Sequence, residues 1–328
     1  MATLDVFKGD PFTLTSLTAA IQTAPYQPGR LEQMGLFGAA EGITTTTVMV
    51  EQYDNVLALV PVSQRGGPAS QSKHGSRKIF TFSVPHLKPE DHMTADEVLG
   101  IRAFGSETEE ESVAKVVATR LSGMRRNIEY TKESFRMMAL KGQTVDAAGN
   151  TVDLFAQFGV SQETIDFELD NTAAVIRTKI LDLMTKIEDS LGGLTFTGIR
   201  VLCGKDFWAS LIEHKSVKES YLATLAANTL RGDPRMEFEF GGVIFERYRG
   251  TAAVKVADNE AYAVPEGVVD LFIARNAPAD YIETVGTVGQ DMYAKQWIPE
   301  PARAVHMEAQ ANPLFLCTRP NAIKKLTV

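Results

Sequence analysis

Gly198-Ile-Arg-Val-Leu-Cys-Gly204-Lys205-Asp206 is the stretch that comes nearest to a phosphate-binding loop. That chemistry needs a glycine four residues upstream of the Gly-Lys pair, so that backbone N–H groups can cradle phosphate, and a hydroxyl after the lysine to hold magnesium. Ile199 stands in the glycine position and Asp206 replaces the hydroxyl, so the segment reads as a strand ending in a turn. His74, His86 and His92 are close enough in sequence to suggest a metal site, but their spacing fits no ligand pattern and no cysteine or paired acid accompanies them. Glu109-Glu110-Glu111 could supply paired carboxylates for acid–base work, yet acids gather at a helix start for electrostatic reasons alone. There is no Gly-x-Ser-x-Gly elbow, and His, Ser and Asp are too dispersed to nominate a triad. Arg231-Gly-Asp233 resembles an adhesion tripeptide, but with Pro234 next in a chain expected to be cytoplasmic it is expected to be a turn. The residues therefore offer no catalytic, cofactor-binding or metal site, and an enzyme is not expected.

The elements that would have to position a site point the same way. Residues 1–47 show no sustained period and read as an extended arm with one short helix near Leu14–Gln22. Val48–Val62 and Lys78–Val84 carry β-branched and alternating apolar residues, predicting two strands of a long hairpin. The segment from Arg65 to Arg77 between them, small, polar and basic, has nothing to bury and is expected to be a mobile tip. Thr94-Ala-Asp-Glu97 and Ser106-Glu-Thr-Glu109 both fit the capping box. After the second, Val113, Val117, Leu121, Met124, Ile128, Phe135 and Met138 make one apolar stripe that stops at Gly142. A helix over 107–141 would be roughly 50 Å long at about 1.5 Å per residue. Its acidic start and basic second half (Arg120, Arg125, Arg126, Lys132, Arg136, Lys141) suit the helix dipole.

Beyond it, Thr144–Val152 places a turn between two short strands, and Asn171–Leu191 carries a helical face ended by Gly192-Gly193. Phe196–Leu202 reads as a buried strand, Asp206–Leu225 as helical pieces, and Glu237–Glu246 as a hairpin turned by Gly241-Gly242. Val268–Ala274 is a further strand, and Ala304–Met307 with Leu314–Cys317 is expected to form a closing pair.

Composition bounds the partners. Lys and Arg total 33 against 41 for Asp and Glu, a net charge of −8, which argues against a surface that grips phosphate backbones. Hydrophobic residues make up 44% of the chain, enough for a sizeable core, and no run approaches the ~18 apolar residues that a membrane span needs. Cys203 and Cys317 cannot build a disulfide framework, and the N-terminus lacks a signal-peptide pattern, so synthesis in a reducing cytoplasm is expected. An acidic chain with an arm, a bare hairpin, a very long helix and one α/β region carries more surface than one subunit can bury, which implies contacts with neighbours.

Several segments carry a family resemblance. Lys295-Gln-Trp297-Ile-Pro299-Glu-Pro301-Ala-Arg303 leads into His306-Met-Glu-Ala-Gln310-Ala-Asn-Pro313-Leu; Gly204-Lys-Asp-Phe-Trp208 precedes His214-Lys-Ser-Val-Lys-Glu219; and Arg65-Gly66-Gly67 marks a glycine-rich loop tip. In this order and spacing the sequence resembles the lambda-like major capsid protein E family of tailed bacteriophages, over most of its length. The resemblance implies an α+β Hong Kong 97-type capsid fold. It would comprise an N-terminal arm (1–47), an extended β-hairpin loop (48–92) and a peripheral domain (93–160) with a spine helix over 106–141. An α/β axial domain (161–300) and C-terminal strands returning to the peripheral domain (301–328) would complete it. It implies a virion protein that forms hexamers and pentamers closing into an icosahedral head around double-stranded DNA. A portal, a separate scaffold and a decoration protein outside would be its partners, with no cofactor and no membrane. Arg65, Gly66, Gly67, Lys73, Arg77 and Lys78 at the loop tip, and Glu107, Glu109, Glu110 and Glu111 at the helix start, then become candidate contacts between subunits. Other readings of the same pattern are an encapsulin-like compartment filled with enzyme, and an α/β enzyme whose site is unrecognised.

Overall fold

The computed structural model describes residues 10–27, 29–53, 77–97, 109–218, 237–251, 254–300 and 303–328. Helices α1 (Leu14–Thr23), α2 (Arg30–Gln33), α3 (Glu109–Leu140), α4 (Leu154–Phe158), α5 (Ile176–Leu191) and α6 (Lys205–Glu213) alternate with short strands. The strands are β1 (Glu41–Gly42), β2 (Thr47–Tyr53), β3 (Arg77–Ser83), β4 (Glu90–Thr94), β5 (Gln143–Val145), β6 (Thr151–Asp153), β7 (Thr164–Asp166) and β8 (Gly198–Cys203). They continue with β9 (Glu237–Phe240), β10 (Val243–Arg247), β11 (Glu260–Glu266), β12 (Phe272–Asn276), β13 (Tyr293–Trp297), β14 (Ala304–Gln310), β15 (Pro313–Cys317) and β16 (Lys324–Thr327).

A six-stranded sheet in the order β7-β16-β11-β8-β10-β9 forms the α/β region. Its central strand β8 runs parallel to β10 and antiparallel to β11. Ile180, Leu183, Ile187 and Leu191 of α5 and Phe207 and Leu211 of α6 are fully buried in one cluster with Val201, Leu202, Phe245 and Val264 of this sheet. Such two-element burial is what orders an amphipathic helix in water. Gly241 and Gly242, with φ of 64° and 85°, turn β9 into β10, the left-handed pair that a two-residue hairpin loop requires.

The long helix α3 has 32 residues and connects this region to the rest. Val117, Leu121, Met124 and Ile128 bury against Leu17 and Ile21 of α1 and against Met93, Val305 and Met307 of the sheet β13-β14-β4. A third sheet, β1-β12-β15, and the hairpins β2-β3 and β5-β6 complete the described fold. The capping box at Thr94 forms as its sequence predicts: Glu97 accepts from the Thr94 N–H at 3.1 Å and donates its own N–H to Thr94 Oγ1 at 3.4 Å. Ser106 and Arg231-Gly-Asp233 lie outside the described residues.

Three expectations are corrected. The arm is less extended than its composition suggests: it carries two helices, and Phe12, Leu17, Ile21, Leu31 and Phe37 are buried. The helix expected from Asn171 starts at Ile176, because the Asn171 side chain accepts from the Ala173 N–H at 3.1 Å and holds the backbone in a turn that competes with helix. β14 and β15 do not pair with each other; β14 lies between β13 and β4, while β15 pairs with β12. The chain switches sheets at Ala311-Asn312, where the Asn312 amide donates to the Pro278 carbonyl at 2.7 Å. At the end of the chain β16 inserts between β11 and β7 of the six-stranded sheet. β13, conversely, which falls within 161–300, pairs away from that sheet.

Candidate assembly surface

The hairpin β2-β3 separates two faces. Val48, Val50, Phe80 and Phe82 point inward, and Phe80 and Phe82 meet the Phe158 ring at centroid distances of 4.8 and 6.0 Å. Met49 and Ile79 point outward and are 70% and 54% exposed. Strand alternation makes this split obligatory, because neighbouring residues face opposite sides. The base is fixed by the Ala147 N–H, which donates to Ser83 Oγ at 3.1 Å. Of the candidate contact residues, Lys78 lies exposed on β3, Arg77 is paired in register with Tyr53, and Glu109, Glu110 and Glu111 open α3. Arg65, Gly66, Gly67, Lys73 and Glu107 lie outside the described residues, as does His74.

The second half of α3 is not the solvated basic face that its composition suggests. Lys132, 2% exposed, donates to Asp291 Oδ1 at 2.6 Å and to Glu129 at 3.4 Å. Arg136 meets Glu32 at 3.5 Å and Glu133 at 3.4 Å, and its guanidinium lies 4.8 Å from the Phe315 ring centre. Glu133 accepts the Leu31 N–H at 2.7 Å, and Arg125 donates to the Ile21 carbonyl at 2.7 Å while covering Tyr26. The arm is thereby held on the long helix by buried, charge-assisted bonds. The signal was present in the sequence, for Lys132 and Arg136 continue the Ile128 stripe at steps of four.

A parallel network ties α2 to the six-stranded sheet. Arg30 binds Glu246 with two bonds of 2.5 and 2.7 Å, and Arg200 reaches Glu246 at 2.9 Å and Glu266 at 2.5 Å. These arginines border a cleft of about 660 Å³ whose third arginine, Arg275, pairs with Glu41 at 3.0 Å. Its cations are thus committed to internal carboxylates.

The residues first weighed for chemistry have structural work. Gly204 starts α6, and a Cβ there would lie 2.0 Å from the Ala257 carbonyl oxygen, so the glycine serves close packing. His86 Nδ1 lies 2.6 Å from Asn312 Oδ1. His92, His306 and Trp297 occupy paired positions on β4, β14 and β13 and stack in a ladder, with centroids 5.8 and 5.4 Å apart. Among the described residues no group of three or more His, Cys, Asp or Glu could hold a metal, and no helix is long and apolar enough to cross a membrane. Cys203 and Cys317 are fully buried, which pushes both thiols up, Cys317 to about 12.

A long helix braced by an arm, a hairpin that leaves Met49 and Ile79 exposed and a mixed α/β sheet together define the Hong Kong 97-type fold. The fold is similar to that in the capsid of Myoviridae phage XM1, with a TM-score of 0.53 at 14% identity, covering 92% of this chain and 93% of that one. Residues 13–328 match the model of the phage major capsid protein E family, and the chain belongs to that family. The major capsid protein of Salmonella phage Felix O1 is 29% identical over 95% of both chains, and that of Pseudomonas phage KPP10 is 28% identical over 96% of both. The protein is a major capsid protein of the tailed-phage type, a structural component of the virion head.

Proposed function

We propose that the chain assembles with copies of itself, as hexamers and pentamers, into an icosahedral head that encloses double-stranded DNA. The observation that carries this reading is the family match across residues 13–328, joined to a hairpin whose outer face leaves Met49 and Ile79 to solvent. A separate scaffold protein during assembly in the host cytoplasm, a portal at one vertex and a decoration protein outside complete the set of partners. Residues 1–47 act as the arm, 48–92 as the extended loop, and the helix over 106–141 as the spine of a peripheral domain. The six-stranded sheet with α5 and α6 acts as the axial domain. The net charge of −8 supports a container that does not bind its genome tightly.

Contact between subunits runs through the loop and the helix start, where Arg65, Lys73, Arg77 and Lys78 meet Glu107, Glu109, Glu110 and Glu111 of a neighbour, with Gly66 and Gly67 allowing close approach. Electron microscopy of the expressed protein, alone and with its neighbouring gene products, tests the assembly. Closed shells containing DNA after packaging are the expected result. Shells filled with a cargo enzyme would make it an encapsulin-like compartment, and small compact oligomers would overturn the shell reading. For the charge contact, Arg77→Glu with Lys78→Glu should impair assembly, and adding Glu110→Lys with Glu111→Lys should restore part of it. No restoration across a range of salt would remove these charges from the contact.

A further inference from the structure

Where the arm crosses the long helix, two buried polar atoms lack a hydrogen-bond partner: Oε2 of Glu129 and Nε of Arg125. Both residues are more than nine-tenths buried, 7% and 6% exposed. Leaving such groups unpaired is costly, so their presence one helical turn apart calls for an explanation. Charged groups surround Glu129 from every side. Arg125, Lys132 and Arg136 lie on its own helix, Glu32 on α2, Tyr26 on the segment before α2, and Asp291 on the segment before β13. Lys132 sits 2.6 Å from Asp291 but 3.4 Å from Glu129, so the one nearby ammonium favours the other carboxylate.

We propose that Glu129 is a proton-linked latch, docking residues 21–27 and 29–33 on the long helix in its protonated form and loosening them when it ionises. The proton comes from solvent and returns to it. Burial, and after it the neighbouring Asp291 and Glu32, raises the Glu129 carboxyl above its ordinary range, against the pull of Lys132. When the segment lifts, Glu129 meets water and reverts to an ordinary carboxylate near 4.3. The docked state therefore binds more protons than the lifted state between that value and the raised one. Docking is strongest at the acidic end of this window and weakens as pH rises through the raised value.

The Leu31 amide reports docking directly, since its N–H is held by Glu133 of the long helix. Hydrogen exchange of the full chain, corrected for intrinsic rates and measured upward from about pH 4, the ordinary carboxylate value, should show Leu31 protection falling several-fold as pH rises. One proton limits the slope to about tenfold per pH unit. Glu129→Gln should keep protection and lose the slope, while the Val201 amide of the six-stranded sheet should show no matching slope in either protein. A flat wild-type profile, an unchanged slope in Glu129→Gln, or the same slope at Val201 would each overturn the latch. If Glu129→Gln fails to fold, Glu129→Met gives the same test.

Discussion

A Cβ added to Gly29 would lie 2.2 Å from Cδ of Glu133, so the arm crosses the long helix where only a glycine fits. Glu133 cannot simply swing away, because its carboxylate holds the Leu31 N–H at 2.7 Å and meets Arg136 at 3.4 Å. Gly29→Ala should therefore displace a buried acceptor and destabilise the protein by roughly 1–3 kcal/mol. Thermal unfolding of wild type and variant checks this. An unchanged melting temperature would mean that the arm can rise off the helix at little cost.

Glu246 lies between Arg30 and Arg200 and is buried at 8% exposure. Removing it takes from Arg30 the carboxylate that holds it in a partly dry site, while Arg200 keeps Glu266 at 2.5 Å. Glu246→Ala should cost about 3–5 kcal/mol, the range for breaking a buried pair, whereas Arg30→Ala should cost less, because Arg200 still neutralises the carboxylate. Denaturant unfolding of both variants gives the comparison.

These two sites also show how far the sequence could be followed. The apolar half of the long helix was legible because Val117, Leu121, Met124 and Ile128 obey its period. For Lys132 and Arg136 the sequence carried only their place on the Ile128 stripe, and the partners of Lys132, Glu133 and Arg136 could not be read, since Asp291, Leu31 and Glu32 lie more than one hundred residues away. The turn at Gly241-Gly242 was legible for the opposite reason, as all its determinants are local. β11 escaped notice because Glu260-Ala-Tyr-Ala-Val-Pro-Glu266 is buried on both faces and so does not alternate. β16 was hidden by Lys324, which looks like a surface residue and is 2% exposed. The candidate contact residues were nominated through family resemblance, and half of them lie outside the described residues.

Lys324 brings a pH dependence with it. Its ammonium binds Glu163 at 2.6 Å, and this bond, followed by that from Lys186, holds the Glu163 carboxyl below the usual carboxylate range. The folded value is lower than the unfolded one, so the pair stabilises the fold above the ordinary carboxylate value and loses that contribution as pH falls through the lowered one. Glu163→Gln should lower the melting temperature at pH 7 and reduce the further loss on acidification to pH 3. An acid loss as steep as that of wild type would assign the acid sensitivity to other carboxylates.

The histidines should prove unnecessary for any metal. A chelator should leave melting and assembly unchanged. His92→Ala should cost about 0.5–1.5 kcal/mol through the lost stack on His306, the range for an aromatic pair. A fall in melting temperature with chelator that added zinc reverses would show that a metal site exists.

The outer face of the hairpin gives the most direct test of assembly. Met49 stands opposite Thr81 and Ile79 opposite Glu51, so the two apolar side chains are diagonal neighbours on one exposed face. A lone subunit gains nothing from them, and exposed substitutions away from special features usually change stability by less than about 0.5 kcal/mol. In a shell each subunit makes the same contact, so a charge buried there meets a desolvation cost at every copy. Met49→Glu with Ile79→Glu should lower the melting temperature of free subunits by only a few degrees, the cost of a carboxylate opposite Glu51, while reducing shells to dispersed capsomers or monomers in electron micrographs. Met49→Leu with Ile79→Val, which keeps the face apolar, should assemble normally. If the glutamate pair assembles as well as wild type, this face looks onto solvent in the finished head, and the hairpin must grip its neighbour through its edges and tip.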